Sequence, residues 1–171
     1  MTMQASSPHR PVLRLENTPT ELALDLCALI VIAWQWLLAF QTWAALPDVI
    51  PTHFGASGPA DDFGPKWILV LLPAASIVFY VAFTWLRRMP HIYNYAWPIT
   101  EQNAQRQYAL ARLLMSWLKL ELVSLFAFLE WTITQAALKH IAGLNILFLP
   151  VTLGVIFGTA GIFLLKAYQA R

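Results

Sequence analysis

His53 stands among Asp48, Asp61 and Asp62 in a stretch, residues 47–65, that is dense in Pro and Gly. Imidazole and carboxylate oxygens are ligands for divalent metals, so His53, Asp61 and Asp62 are metal candidates, although their spacing matches no recognised ligand motif. A structural alternative is a rigid cap, in which His53 hydrogen-bonds across the loop and an Asp caps the next helix. A third reading lies between these. Pro47, Ile50, Pro51, His53, Phe54, Asp61, Asp62 and Lys66 would present a surface to a peptide or protein partner.

A second set of reactive groups lies inside long apolar runs: Asp25, Arg112, Lys119, Glu121 and Glu130. Ionisable side chains at membrane depth are costly, and they face a bundle interior or a cavity. At 100° per residue, Arg112, Ser116, Lys119, Val123, Ala127, Glu130 and Thr134 share one helix face, a stripe of polar or small residues. Lys119 falls roughly 9 Å into its apolar run by the helical rise. Asp25 enters the first run from the same side, so an Asp25–Lys119 pair locking the first helix to the third is expected. Glu121 sits about 200° from Lys119 on the wheel, so it faces another helix or a cavity. The structural alternative has Lys119 snorkelling to one interface and Glu130 reaching the other.

Other chemistries find no residues to carry them. No nucleophile is paired with a base, and no phosphate-cradling loop or dinucleotide motif is present. His9, His53, His91 and His140 all lie outside the apolar runs, which argues against an intramembrane bis-His haem. Cys27 is the one cysteine, so neither an internal disulfide nor a multi-cysteine zinc site can form; buried inert packing is expected for it. A net charge of +2 without a Lys/Arg cluster does not suit nucleic acid. A non-enzymatic role with no cofactor is the expectation.

The elements that must hold these residues follow from composition. The chain is 58% hydrophobic and 12% charged, against about 25% charged in soluble proteins. Its partner is therefore a lipid bilayer, and its eight Trp suit the two interfaces. Four spans are expected, about residues 22–46, 67–86, 113–137 and 146–168, each near the ~20 residues a crossing needs. The first run is too long for a signal peptide core and is read as an uncleaved helix.

Residues 1–19 form a loosely ordered tail, with Thr20 as the first N-cap. Residues 47–65 form an ordered loop without regular elements, after which Asp61 or Asp62 caps the second helix and Pro65 begins it. Pro73 predicts a kink in that helix. Residues 87–112 form a connection in which Tyr93, Tyr95 and Trp97 sit at headgroup level and Thr100 caps the third helix. Gly154, Gly158 and Gly161 would pack the fourth helix within the bundle or against a second copy. With both termini inside, the inner side holds Arg10, Arg14, Arg87, Arg88, Arg106, Arg112, Lys166 and Arg171, and the outer side only Lys66 and Lys139. That asymmetry sets an N-in/C-in, all-α four-helix membrane bundle with residues 47–65 extracytoplasmic. Residues 20–171 make one domain.

The outer stretch LPDVIPTHFGASGPADDFGPK resembles the signature of a family of small bacterial membrane domains of unknown function, the N-terminal half of SdpI-type immunity proteins. Leu46, Pro47, Ile50, Pro51, His53, Phe54, Gly58, Asp61 or Asp62, Gly64 and Lys66 carry the likeness. A second block follows in Trp97-Pro98, Ile99-Thr100, Asn103-Ala104, Tyr108 and Leu118-Lys119. The resemblance implies a bacterial inner-membrane location and a role in binding a toxic peptide or a regulatory partner. SdpI-type proteins continue into a second membrane domain, whereas these residues supply four helices. Two other roles stand beside it: an accessory subunit of a larger membrane complex, and a membrane enzyme or transporter using the loop His/Asp or the intramembrane charges.

Overall fold

A computed structural model describes residues 10–171. Helix α1 is Pro19–Thr42, strands β1 and β2 are Val49–Phe54 and Ala60–Pro65, and helix α2 is Leu71–Leu86, entered through a 3-10 turn at Lys66–Val70. After a connection containing a short 3-10 turn at Pro90–Ile92 come α3, Ala104–Ala137, and α4, Phe148–Gln169. Among the described residues, three helical stretches are long and apolar enough to cross a membrane: Pro19–Thr42, Lys66–Leu86 and Phe148–Gln169. α3 is longer, at 34 residues, but carries the ionisable groups. It is the central element and packs on α1, α2 and α4.

The bundle is polar inside and apolar outside. Every member of the α3 stripe, Arg112, Ser116, Lys119, Val123, Ala127, Glu130 and Thr134, is buried. Leu26 and Ile30 on α1, Val78 and Val81 on α2, and Phe157 and Leu165 on α4 are exposed. In water that arrangement would be inverted; in a bilayer the apolar exterior meets hydrocarbon and the polar groups find each other. The protein is a multi-pass membrane protein.

Local chemistry moved several boundaries. Thr18, not Thr20, caps α1: its hydroxyl accepts from the Glu21 amide at 3.2 Å and Glu21 returns to the Thr18 amide at 2.7 Å, with Pro19 in the first turn. This reciprocal box satisfies two orphan donors, which Thr20 could not do from inside the helix. Residues 47–65 are not irregular, because β1 and β2 form an antiparallel hairpin with bulges around His53. A two-stranded ribbon gives every strand a free edge, so Pro51 and the bulges are tolerated. Asp61 and Asp62 lie in β2 and cap no helix, and Pro65 precedes the 3-10 turn without a side-chain cap. Pro73 falls in the first turn of α2, where its missing amide costs no hydrogen bond. Thr100 and Asn103 exchange backbone–side-chain hydrogen bonds of 2.9 and 3.3 Å, so the capping begins at Thr100 while α3 proper begins at Ala104.

The segment before α1 is held down where it is described. Arg10 donates to the carbonyls of Tyr93 and His91, at 2.6 and 3.3 Å, and lies over the Tyr95 ring. Leu13 and Leu15 pack on the buried cluster Ile99, Ala104 and Tyr108. Of the tail expected to be loose, residues 10–18 are thus held in place, and residues 1–9 lie outside the described residues. Tyr93 and Tyr95 donate to the carbonyls of Leu86 and Pro90, both at 2.9 Å. Burial pushes the Tyr93 phenol up to about 12 and raises that of Tyr95, which keeps both as donors. Cys27 is exposed on the outer face of α1 rather than packed inside. Gly154, Gly158 and Gly161 have nothing within 4 Å of where a Cβ would stand, so they do not pack the bundle.

Candidate functional site

Two places concentrate chemistry. At the end of the bundle where α1 and α3 begin, a network of charges joins three helices. Asp25 accepts from Arg87 through Nη1 at 3.0 Å and Nη2 at 2.8 Å, and from Lys119 Nζ at 2.5 Å. Lys119 also donates to Thr84 at 2.9 Å and lies 4.5 Å from the centre of the Tyr80 ring. Arg87 reaches Ser116 at 2.8 Å, and Ser116 returns its own proton to the Arg112 carbonyl. Arg112 grips Glu21 through Nε and Nη2, at 3.1 and 3.2 Å, and binds Asn17 at 2.8 Å and the Leu15 carbonyl at 2.5 Å. Each ion is paired and its remaining hydrogen-bonding capacity largely used, which burial of charge demands.

Asp25 and Lys119 therefore meet, but not as an isolated pair. Arg87 is 4% exposed and shares the carboxylate. Counted in the sequence only among the inner-side cations, it instead folds back into the bundle. The one signal that could have found it was its place at the end of a helix whose other residues are largely apolar. Glu21, the acid of the α1 capping box, doubles as the partner of Arg112. Glu121 lies on another face, where Thr159 of α4 donates to its Oε1 at 2.5 Å while Oε2 has no partner. It borders an apolar groove of about 700 Å³ between α3 and α4, walled by Trp117, Phe128, Phe148 and Val151. Glu130 does not reach an interface; it is completely buried beside Gln35. Gln35 of α1, buried in an otherwise apolar stretch, lies against that carboxylate.

The second place is the hairpin at the opposite end. Leu46, Ile50 and Leu69 form a buried cluster against Ile133, Ala137 and Leu138, which fixes the hairpin to α3. Its tip docks on the α3–α4 connection, where the Leu144 amide donates to the Gly58 carbonyl at 2.8 Å. Gly58 and Gly143 take φ of +106° and +151°, and a Cβ on either would stand 2.3 or 2.4 Å from a backbone oxygen of the other segment. Only glycine permits that approach.

On the free face, His53 Nδ1 and Asp61 Oδ1 are 2.5 Å apart, with both side chains more than half exposed. Asp62 is occupied by the Phe63 amide at 2.8 Å, and Lys66 pairs with Asp48 at 3.1 Å beside the Trp43 ring. Val49, Phe63 and Trp67 are exposed around them. Ile50 and Pro51, expected among the partner-facing residues, are buried; Pro47 is exposed and Phe54 half-buried. Asp62 does not join His53 and Asp61, and among the described residues no group of three or more His, Cys, Asp or Glu side chains converges as metal ligands would.

Residues 28–77 match the model of a domain of unknown function, DUF1648. The DUF1648 segment begins one turn after Asp25, takes in the whole hairpin and ends inside α2. It contains Gln35, His53, Asp61, Lys66 and Ser76 but none of the charged partners Asp25, Arg87, Arg112 and Lys119. An uncharacterised protein of Archaeoglobus fulgidus is 39% identical over 85 residues, which cover 45% of this chain and 46% of that protein. The match thus spans less than half the length of this relative. No solved structure matches the chain.

Proposed function

We propose that the protein is a non-enzymatic, SdpI-related membrane protein that binds a peptide or protein partner through the β1–β2 hairpin, in immunity or signalling. The observation that carries this reading is the hairpin's construction. It is fixed at both ends to the helical bundle, yet it offers exposed Val49, Phe63 and Trp67 around an exposed His53–Asp61 pair. A short ribbon with free edges can also accept an added strand from a peptide. Immobilising such a face beforehand lowers the ordering cost of binding.

In the same reading all four helices cross a bacterial cytoplasmic membrane with both termini inside. The excess of Arg and Lys on that side supports the orientation. The burial of the α3 charges by three neighbouring helices supports α3 as a span. The test is protection of a host from secreted peptides. Expression should lower sensitivity to a cognate peptide, and His53→Ala with Phe63→Ala should abolish protection at unchanged membrane abundance. Equal sensitivity with and without the protein, across a panel of secreted peptides, would sink the reading.

A second reading, accessory subunit of a larger membrane complex, is favoured by α4. This helix packs chiefly on α3 and leaves Gly154, Gly158 and Gly161 open on its surface. Co-purification of another chain in fixed stoichiometry from native membranes would support it.

A further inference from the structure

Glu121 sits at the middle of α3, roughly 25 Å from either end by the helical rise. Thr159 of α4 donates to its Oε1 at 2.5 Å, and its Oε2 has no hydrogen-bond partner. Among the described residues no Lys, Arg or His pairs with it. The nearest cations along the two helices are engaged elsewhere. Lys119 is held by Asp25 and Thr84 on another face of α3. Lys166, roughly 10 Å along α4 from Thr159, lies over the Phe163 ring. A carboxylate at that depth with one hydroxyl for a partner is costly, and it calls for a counter-ion that the neighbouring side chains do not supply.

The surroundings of Glu121 leave room for one. Glu121 and Thr159 both line the groove of about 700 Å³ between α3 and α4. Sites for drug-sized molecules span about 300–1,000 Å³ and are mostly apolar with a few placed polar groups. Trp117 lies one turn before Glu121 on the same wall, and Phe128 two turns after it. Phe128 stacks on Phe148 of α4, with ring centres 4.9 Å apart, so an aromatic pair bridges the two helices at the hairpin end of the groove. Val151 and Val155 on the α4 wall are exposed, which in a bilayer opens the groove toward lipid. The Glu121 side chain is itself part-exposed, and the last torsion of a carboxylate is soft, so turning the free oxygen toward the groove meets little resistance.

These features select the ligand. It must be apolar enough to enter from lipid, and it must carry a positive charge with an N–H to donate. Trp117 and Phe128 would add the attraction of aromatic faces for a cation. A metal ion would find a single carboxylate among walls of carbon, and an anionic lipid would meet like charge. We propose that the α3–α4 groove binds a lipophilic amine, an alkyl or aryl-alkyl ammonium of small-molecule size, with Glu121 as its counter-ion and Thr159 holding the carboxylate in place. This site is separate from the hairpin and from the Asp25 network, and it does not depend on partner binding at the hairpin.

The test uses the full chain in mild detergent, with thermal unfolding followed at fixed pH and ionic strength. The probes are phenylbutylammonium chloride and its neutral counterpart of the same skeleton, phenylbutanol. A ligand that binds only the folded state raises Tm in a saturable way. The ammonium should do so at a concentration roughly tenfold below the alcohol, because only it forms the charge-assisted hydrogen bond, and Glu121→Gln should erase that preference. Val151→Trp fills the exposed mouth of the groove and leaves the acid in place. It should remove the response, and it carries the test should Glu121→Gln fail to fold. No saturable response to the ammonium, or equal midpoints for the two probes, would overturn the proposal. An unchanged preference in Glu121→Gln, or a full response in Val151→Trp, would overturn it as well.

Discussion

Arg87 and Asp25, 62 residues apart in sequence, meet side-on through two hydrogen bonds of 3.0 and 2.8 Å. Lys119 closes on the same carboxylate at 2.5 Å, so one acid on α1 holds a cation from α2 and a cation from α3. Removing the acid would strand two buried positive charges. Breaking a buried pair from one side costs about 3–5 kcal/mol. Asp25→Asn is therefore expected to destabilise the protein by about that amount, read as a lowered unfolding midpoint in detergent. An unchanged midpoint would mean that water already screens the pair.

Arg112→Lys tests a different property of the network. Arg112 makes four contacts in a planar fan, to both Glu21 oxygens, Asn17 and the Leu15 carbonyl. Lysine keeps the charge but has neither the fork nor the reach to serve all of them. A loss of about 1–3 kcal/mol is expected from the groups left unpaired. Hydrogen exchange should quicken first in residues 10–17, because Arg112 anchors that segment to α3.

At the other end, Gly58→Ala and Gly143→Ala should each undock the hairpin tip. The added methyl would collide with a backbone oxygen at 2.3 or 2.4 Å, and both positions carry positive φ. Strain of this kind costs about 1–3 kcal/mol. Proteolysis within residues 55–59 is the measurement, with faster cleavage in either variant. Gly154→Ala, whose Cβ meets nothing within 4 Å, serves as the control that should behave like the parent protein.

Stability should also fall at high pH through Tyr93. Burial raises its folded-state phenol to about 12, from the ordinary 10.0 that the unfolded chain keeps. Above the unfolded value the unfolded state gives up its proton while the folded state holds it. The stabilisation present below pH 10 is thus lost progressively toward about 12. Tyr93→Phe should flatten that part of the stability–pH curve, at the cost of the Leu86 carbonyl's hydrogen bond.

The orientation is open to direct measurement. In a Cys27→Ser background, which removes the exposed native thiol, Asp62→Cys should react with a membrane-impermeant maleimide added to intact cells. A cysteine introduced at Arg88 should react only after the cells are opened. The reverse pattern would invert the N-in/C-in reading.

The polar stripe of α3 was legible because a 3.6-residue period is local information, and because charges in an apolar run have nowhere to go but inward. Its partners were not. Asp25 could be matched to Lys119 by depth alone, but Arg87 was only one of several inner-side cations until the fold turned it toward Asp25 and Ser116. Glu130 shows the same limit, since a depth count left it free to reach an interface and packing enclosed it beside Gln35. The hairpin escaped notice for another reason. Pro and Gly mark broken regular structure in most settings, whereas a two-stranded ribbon has no interior strand for them to disrupt.

By itself the sequence determined the solvent and set an expectation of sidedness. Apolar runs of bilayer length require lipid, a periodic polar face requires an interior, and Lys and Arg counts favour one orientation; each is a sum over local residues. Only the tertiary structure decided which charge meets which, that residues 49–65 pair as strands, and that the α4 glycines stay open. Those outcomes depend on distances between residues tens of positions apart, and the rotation and register that set such distances are fixed only when all the helices pack at once.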